Sequence, residues 1–190
     1  MEKKELVYRQ LFLKPETTQL ELSQVLGISL STVNNAIKPL RGMGAVHVGK
    51  RRLRVTDREK LLLYWASART LHDDIIYRTR VELPVKKIEK SVPSDIIFTA
   101  YSGYRLRYKE VPADYSEVYI YSSQKELDSV KMRFHESEKV PNLFVLEADE
   151  HLLAVTGEGV VPDCQLFVDL WNLSEWYAKE FVIRLRERIL

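Results

Sequence analysis

The stretch Gly27-Ile28-Ser29-Leu30-Ser31-Thr32-Val33-Asn34-Asn35-Ala36-Ile37-Lys38-Pro39-Leu40 carries the residues best placed for chemistry, and that chemistry is recognition of a duplex. Val33, Ala36, Ile37 and Leu40 recur with the helical period and form one buried face. The opposite face then presents Ser31, Thr32, Asn34, Asn35 and Lys38. An asparagine amide pairs bidentately with an adenine edge in the major groove, and short hydroxyl side chains fit beside it. Ser31, Thr32, Asn34 and Asn35 are therefore the expected base-reading set, with Lys38 on a phosphate. Lys50, Arg51, Arg52 and Arg54 follow, four cations in five positions. They are expected to hold phosphates too, each neutralised phosphate adding about 0.9 to the log–log salt slope.

No second constellation of this kind stands out. His47, His72, His135 and His151 are scattered, and none has a metal-ligand spacing with the single cysteine, Cys164. Cys164 lies in an apolar run and reads as a core residue. Asp163 and Asp169 are six residues apart, which does not bring them together on one helix face. Asp169 is expected to cap a helix or to pair with an arginine of the last one. No glycine-rich phosphate loop is present. The expectation is no catalytic residue, no metal, no cofactor and no enzyme. Tyr101, Tyr104, Tyr108, Tyr115, Tyr119 and Tyr121 beside Arg105 and Arg107 form the densest aromatic-basic cluster. They serve either as half-buried core or as a stacking platform for bases, and the core use is the expected one.

The elements that must position the first constellation are legible around it. Leu6, Val7, Leu11 and Phe12 make a helical stripe that Pro15 ends. Thr18 and Glu21 have the spacing of a capping box for a second helix, which Gly27 stops. Ser29 caps the third helix and leaves its first amides pointing outward. Pro39, which cannot donate to the Asn35 carbonyl, predicts a kink or an early end. Ala45–Val48 and Leu53–Val55 flank Gly49-Lys50-Arg51-Arg52 as a β-hairpin, and a fourth helix runs from Arg58 to about Arg69.

Beyond Thr70 the pattern changes to mixed α and β. Strands are expected over 75–83, 96–99, 117–121 and 143–146, and helices over 84–92, 100–108, 124–134 and 162–170. Residues 151–155 read as a strand or a helix, and Ser174 as the cap of a long last helix. Residues 1–60 hold 12 Lys+Arg and 6 Asp+Glu, a net +6. The rest holds 17 and 21, a net −4. A basic first third on an acidic body suits a separate polyanion-binding module. No apolar run approaches the ~20 residues of a membrane span, and Met1-Glu2-Lys3-Lys4 leads into an amphipathic segment, not a signal peptide. With one cysteine, a reducing cytoplasm is the expected location.

Residues 3–69 resemble the winged-helix regulators of bacteria and archaea, of the form G-I-S-x-S-T-V-x-x-A-I-x-x-L-x-x-x-G-x-V. In the second half, Ile97-Phe98-Thr99-Ala100-Tyr101-Ser102-Gly103-Tyr104 looks like a strand running into a helix with a small-residue start. With Val161-Pro162-Asp163-Cys164-Gln165-Leu166-Phe167-Val168-Asp169-Leu170 and the charged final helix, residues 96–190 resemble the C-terminal domain of the AbiEi-type antitoxins, the repressing partners of type IV toxin–antitoxin systems. The resemblance implies a repressor whose second domain contacts a partner or neutralises a toxin.

The expected fold is α+β: a winged helix-turn-helix over 1–69, then over 70–190 an α/β domain whose mixed sheet is covered by helices. The expected function is sequence-specific binding of double-stranded DNA by a transcription regulator, as a homodimer on two half-sites. Residues 70–190 would take a toxin, another protein or an effector. Two alternatives stand beside this. In one, the second domain is a nuclease or nucleotidyltransferase with carboxylates such as Asp95, Asp163 or Asp169. In the other, the whole chain is a protein-interaction scaffold.

Overall fold

The computed structural model describes residues 3–190, so the Met1-Glu2 start on which the absence of a leader was read lies outside the described residues. The chain divides into two compact units, one ending at Arg69 and the other spanning Thr70–Ile189.

The first unit is three helices, a hairpin and a fourth helix. Helix α1 (Lys3–Leu13) stops before Pro15, and Glu16–Thr17 forms a two-residue strand, β1. Helix α2 (Gln19–Leu26) opens on the Thr18/Glu21 capping box and closes at Gly27, whose φ of 62° a side chain would resist. Helix α3 runs Leu30–Gly42 from its Ser29 cap. Pro39 sits inside it without ending it, so of the kink or early end expected the early end does not occur. Ala36, Ile37 and Leu40, each at 2% exposure or less, anchor the turns on both sides of the proline.

Strands β2 (Val46–Val48) and β3 (Leu53–Val55) then pair antiparallel, and β1 adds to the outer edge of β3. Alternation along β3 buries Leu53 and Val55 and turns Arg54 outward. Helix α4 (Arg58–Ala68) packs on α1 and α3. Val7, Leu11, Leu22, Val33, Leu61, Leu62 and Trp65 make the core. One charged clasp crosses it: buried Glu5 accepts from Trp65 Nε1 at 2.8 Å and from the Arg69 guanidinium at 2.5 Å.

The second unit is a four-stranded sheet in the order β4-β7-β6-β5, with β6 and β7 parallel and the other pairs antiparallel. A short 3₁₀ turn, Leu71–Asp74, leads into β4 (Ile75–Thr79). The strand ends four residues before the expected Leu83, because Val81 donates to the Asn142 side chain and leaves the ladder. There follow α5 (Val85–Ser91), β5 (Ile97–Thr99), α6 (Ala100–Tyr108), β6 (Val118–Ser122), α7 (Gln124–Arg133) and β7 (Leu143–Glu147).

The ambiguous 151–155 segment is a helix, α8 (Glu150–Val155), started by the Asp149 side chain. Helix α9 is Asp163–Trp171, and α10 is Ala178–Ile189. The last helix thus starts four residues after Ser174, which does not cap it.

Every residue of β6 is buried, so the sheet is covered on both faces. Val118, Ile120, Leu143 and Val145 meet Ile88 of α5, Val92 just after it, and Leu127 and Val130 of α7. The alternate residues face α6 and α9: the Tyr119 ring packs on Tyr101 of α6, and the Tyr121 hydroxyl bonds to Asp169 of α9. A Cβ at Gly103 would stand 3.1 Å from both the Phe98 carbonyl and Leu166, so glycine is what lets α6 lie this close to β5 and α9.

Candidate nucleic-acid interface

Helix α3 separates its residues by face. Val33, Ala36, Ile37 and Leu40 are buried, while Leu30, Ser31, Asn34, Asn35 and Lys38 are exposed and Thr32 is half-buried. The two hydroxyls are already engaged. Ser29 Oγ accepts from the Thr32 amide at 3.1 Å and lies 2.8 Å from Ser31 Oγ and 2.9 Å from Thr32 Oγ1. Ser29 thus caps the helix with the Ser31 and Thr32 hydroxyls bonded to it, and Asn34 and Asn35 stand exposed beyond them. Lys38 continues the same exposed side one turn on.

The hairpin follows α3 directly, with the Ala45 amide bonded to the Leu40 carbonyl at 2.9 Å. Its tip is closed by the Gly49 amide donating to the Arg52 carbonyl at 2.8 Å. All four cations are exposed, but they are not equivalent. Glu16 on β1 stands opposite Arg54 in the ladder and takes the Arg54 guanidinium at 3.4 Å and that of Arg52 at 2.9 Å. The hydrogen bond from Arg52, then the Arg54 charge, holds the Glu16 carboxyl below the usual carboxylate range. Lys50 and Arg51 project from the tip with no carboxylate partner among the described residues.

Two residues of this surface carried no expectation from the sequence, Glu16 and Leu30. Glu16 lies 36 residues from Arg52 in a strand of two residues, too short to leave a pattern. Leu30 was detectable as the one large apolar residue of α3 that falls off its buried stripe.

The groups considered for catalysis do not assemble. Among the described residues no three His, Cys, Asp or Glu side chains are grouped to hold a metal ion. Cys164 is buried, and Asp163 pairs with Arg107 at 3.2 Å. Exposed Asp95 accepts from the neighbouring Ser94 hydroxyl, at 3.2 Å. Asp169 is fully buried and ties β5, β6 and α9 together. It accepts from Thr99 Oγ1 at 2.6 Å, Gln165 Nε2 at 2.8 Å and the Tyr121 hydroxyl at 3.1 Å.

Tyr101, Tyr104, Tyr119 and Tyr121 are core and Tyr108 and Tyr115 half-buried, with the hydroxyls steered to carboxylates. Tyr101 and Tyr119 donate to Glu175, Tyr104 to Glu110, Tyr115 to Glu89 and Tyr177 to Glu117. Tyr101 packs against Tyr115, Tyr177 and Phe181 with ring centres 5.0–5.4 Å apart, leaving no open face for a base. No described helix is long and apolar enough to cross a membrane.

Residues 5–64 match the family described as the Crp-like helix-turn-helix domain. No curated protein and no solved structure matches the chain. The family match spans the cap, α3 and the hairpin just described, and it supports a winged helix-turn-helix regulator that binds DNA.

Proposed function

We propose that the chain is a sequence-specific binder of double-stranded DNA that regulates transcription, with the Crp-like unit as its reading head. One observation carries this: α3 buries one face completely and offers Asn34, Asn35 and Lys38 on the other, beside a hairpin tipped by Lys50 and Arg51. Asn34 and Asn35 read bases. Ser31 and Thr32 act through Ser29, fixing the helix end and its outward amides against a phosphate. Lys38, Lys50, Arg51, Arg52 and Arg54 supply the sequence-independent charge. Two copies on two half-sites would supply the affinity that one short helix lacks. The second unit, by the resemblance of residues 96–190 to AbiEi-type antitoxins, serves as the partner-binding half of an antitoxin-like autorepressor in the cytoplasm.

The test is a gel shift on genomic and random duplexes, wild type beside Asn34→Ala with Asn35→Ala. Each lost bidentate contact costs about 1–3 kcal/mol of discrimination, so the double variant loses the preferred site and keeps its affinity for random DNA. Equal losses on both duplexes would remove the base-reading assignment. A wild type that binds no duplex at low salt would remove the DNA-binding function altogether.

A further inference from the structure

Leu30 is the first residue of α3, and 48% of it is open to solvent, whereas Val33, Ala36, Ile37 and Leu40 of the same helix stand at 2% or less. It lies one turn before Asn34, and residues so spaced are surface neighbours with Cβ atoms about 5–6 Å apart. The hydroxyls beside it are drawn into the Ser29 cap. The leading end of the helix therefore shows an apolar group next to an amide, beside hydroxyls that already hydrogen-bond one another.

A leucine gains nothing from the donors and acceptors of a base edge. The major groove holds one apolar feature, the C5-methyl of thymine. Bases along a strand are about 3.4 Å apart, so neighbouring side chains on the helix address bases one or two steps apart. We infer that Leu30 is a specificity-determining residue, packing on a thymine methyl one or two steps from the adenine that Asn34 takes. The preferred duplex then contains a cluster of A·T pairs read through both an amide and a methyl contact. This rests on α3 being the recognition helix.

The experiment pairs a change in the protein with a change of one methyl group in the DNA. Duplexes preferred by the wild-type full chain are selected from a random pool, and their thymines are replaced by uracil, first together and then singly. Wild type should lose roughly threefold to tenfold on the fully substituted duplex, and one thymine per half-site should account for it. Leu30→Ser should bind the thymine duplex as weakly as wild type binds the uracil one, and should not distinguish the two. Leu30 is exposed, so this variant should fold as wild type does. The uracil series uses unaltered protein in any case.

If wild type binds its selected duplexes but is indifferent to every methyl, the Leu30 assignment is overturned while the DNA-binding function stands. If Leu30→Ser remains as sensitive to uracil as wild type, the methyl acts through duplex shape and the assignment is again overturned. If no duplex is selected, the DNA-binding function falls and Leu30 with it.

Discussion

Replacing Glu16 by Gln tests whether the hairpin meets phosphate, because this one carboxylate holds half of the hairpin's cations. Arg52 and Arg54 contact it while their own side chains remain 71% and 67% exposed. At such exposure water and salt screen the pairing, and a phosphate displaces the carboxylate with little loss. If Lys38, Lys50, Arg51, Arg52 and Arg54 all meet phosphates, the slope of log Kobs against log salt is about −4.5. If only Lys38, Lys50 and Arg51 do so, it is about −2.7. Between ~50 and ~200 mM salt these slopes correspond to affinity losses of about 500-fold and 40-fold.

Wild type should fall between the two values. Glu16→Gln, which frees both arginines and removes a charge that repels the duplex, should bind random DNA more tightly and move toward the steeper slope. Lys50→Ala with Arg51→Ala should flatten the slope by about 1.8. Fluorescence anisotropy on a labelled random duplex, titrated at several salt concentrations, gives all three numbers. Weaker binding and a flatter slope in Glu16→Gln would refute the reasoning, since the carboxylate would then be bracing the hairpin in its binding geometry and not competing for its cations. A Lys50/Arg51 variant with the wild-type slope would show that the hairpin tip does not touch DNA.

Two further outcomes follow from buried polar groups. Glu5→Ala takes the shared acceptor from Trp65 Nε1 and the buried Arg69, and breaking such a pair costs about 3–5 kcal/mol. Thermal unfolding of the first unit should move down by well over 10 °C, with a smaller loss for Glu5→Gln; a shift of a degree or two would deny the clasp its role. Burial first, then the Glu175 charge, pushes the Tyr101 and Tyr119 hydroxyls far above the usual tyrosine range, and burial with the Glu117 hydrogen bond pushes Tyr177 up to about 12. These groups favour the fold while neutral. Their contribution is complete below the unfolded value near 10 and is lost as pH rises through the folded values. An ultraviolet tyrosine titration should show a late group that ionises only with unfolding, beginning above pH ~10. Ionisation of all ten tyrosines near pH 10 in folded protein would contradict it.

Local signals determined the first unit almost completely. The Thr18/Glu21 box, Gly27, Ser29 and the hairpin glycine each act within a few residues, so their spacing in the chain is their spacing in space. The exposed side of α3 was legible for the same reason, since helical periodicity assigns faces without reference to the rest of the molecule. The strand and helix sequence of residues 70–190 was also readable, because alternation and helical stripes are properties of single segments.

Contacts between segments far apart in the chain required the tertiary structure. The strand order β4-β7-β6-β5, the pairing of Glu16 with Arg52 and Arg54, and the burial of Asp169 under Thr99, Tyr121 and Gln165 all join such segments. A charge or hydroxyl looks the same in sequence whether it faces water, a phosphate or a carboxylate thirty residues away. The fold decided which cations stay available to a ligand and which tyrosines became core, because only packing sets distance and desolvation.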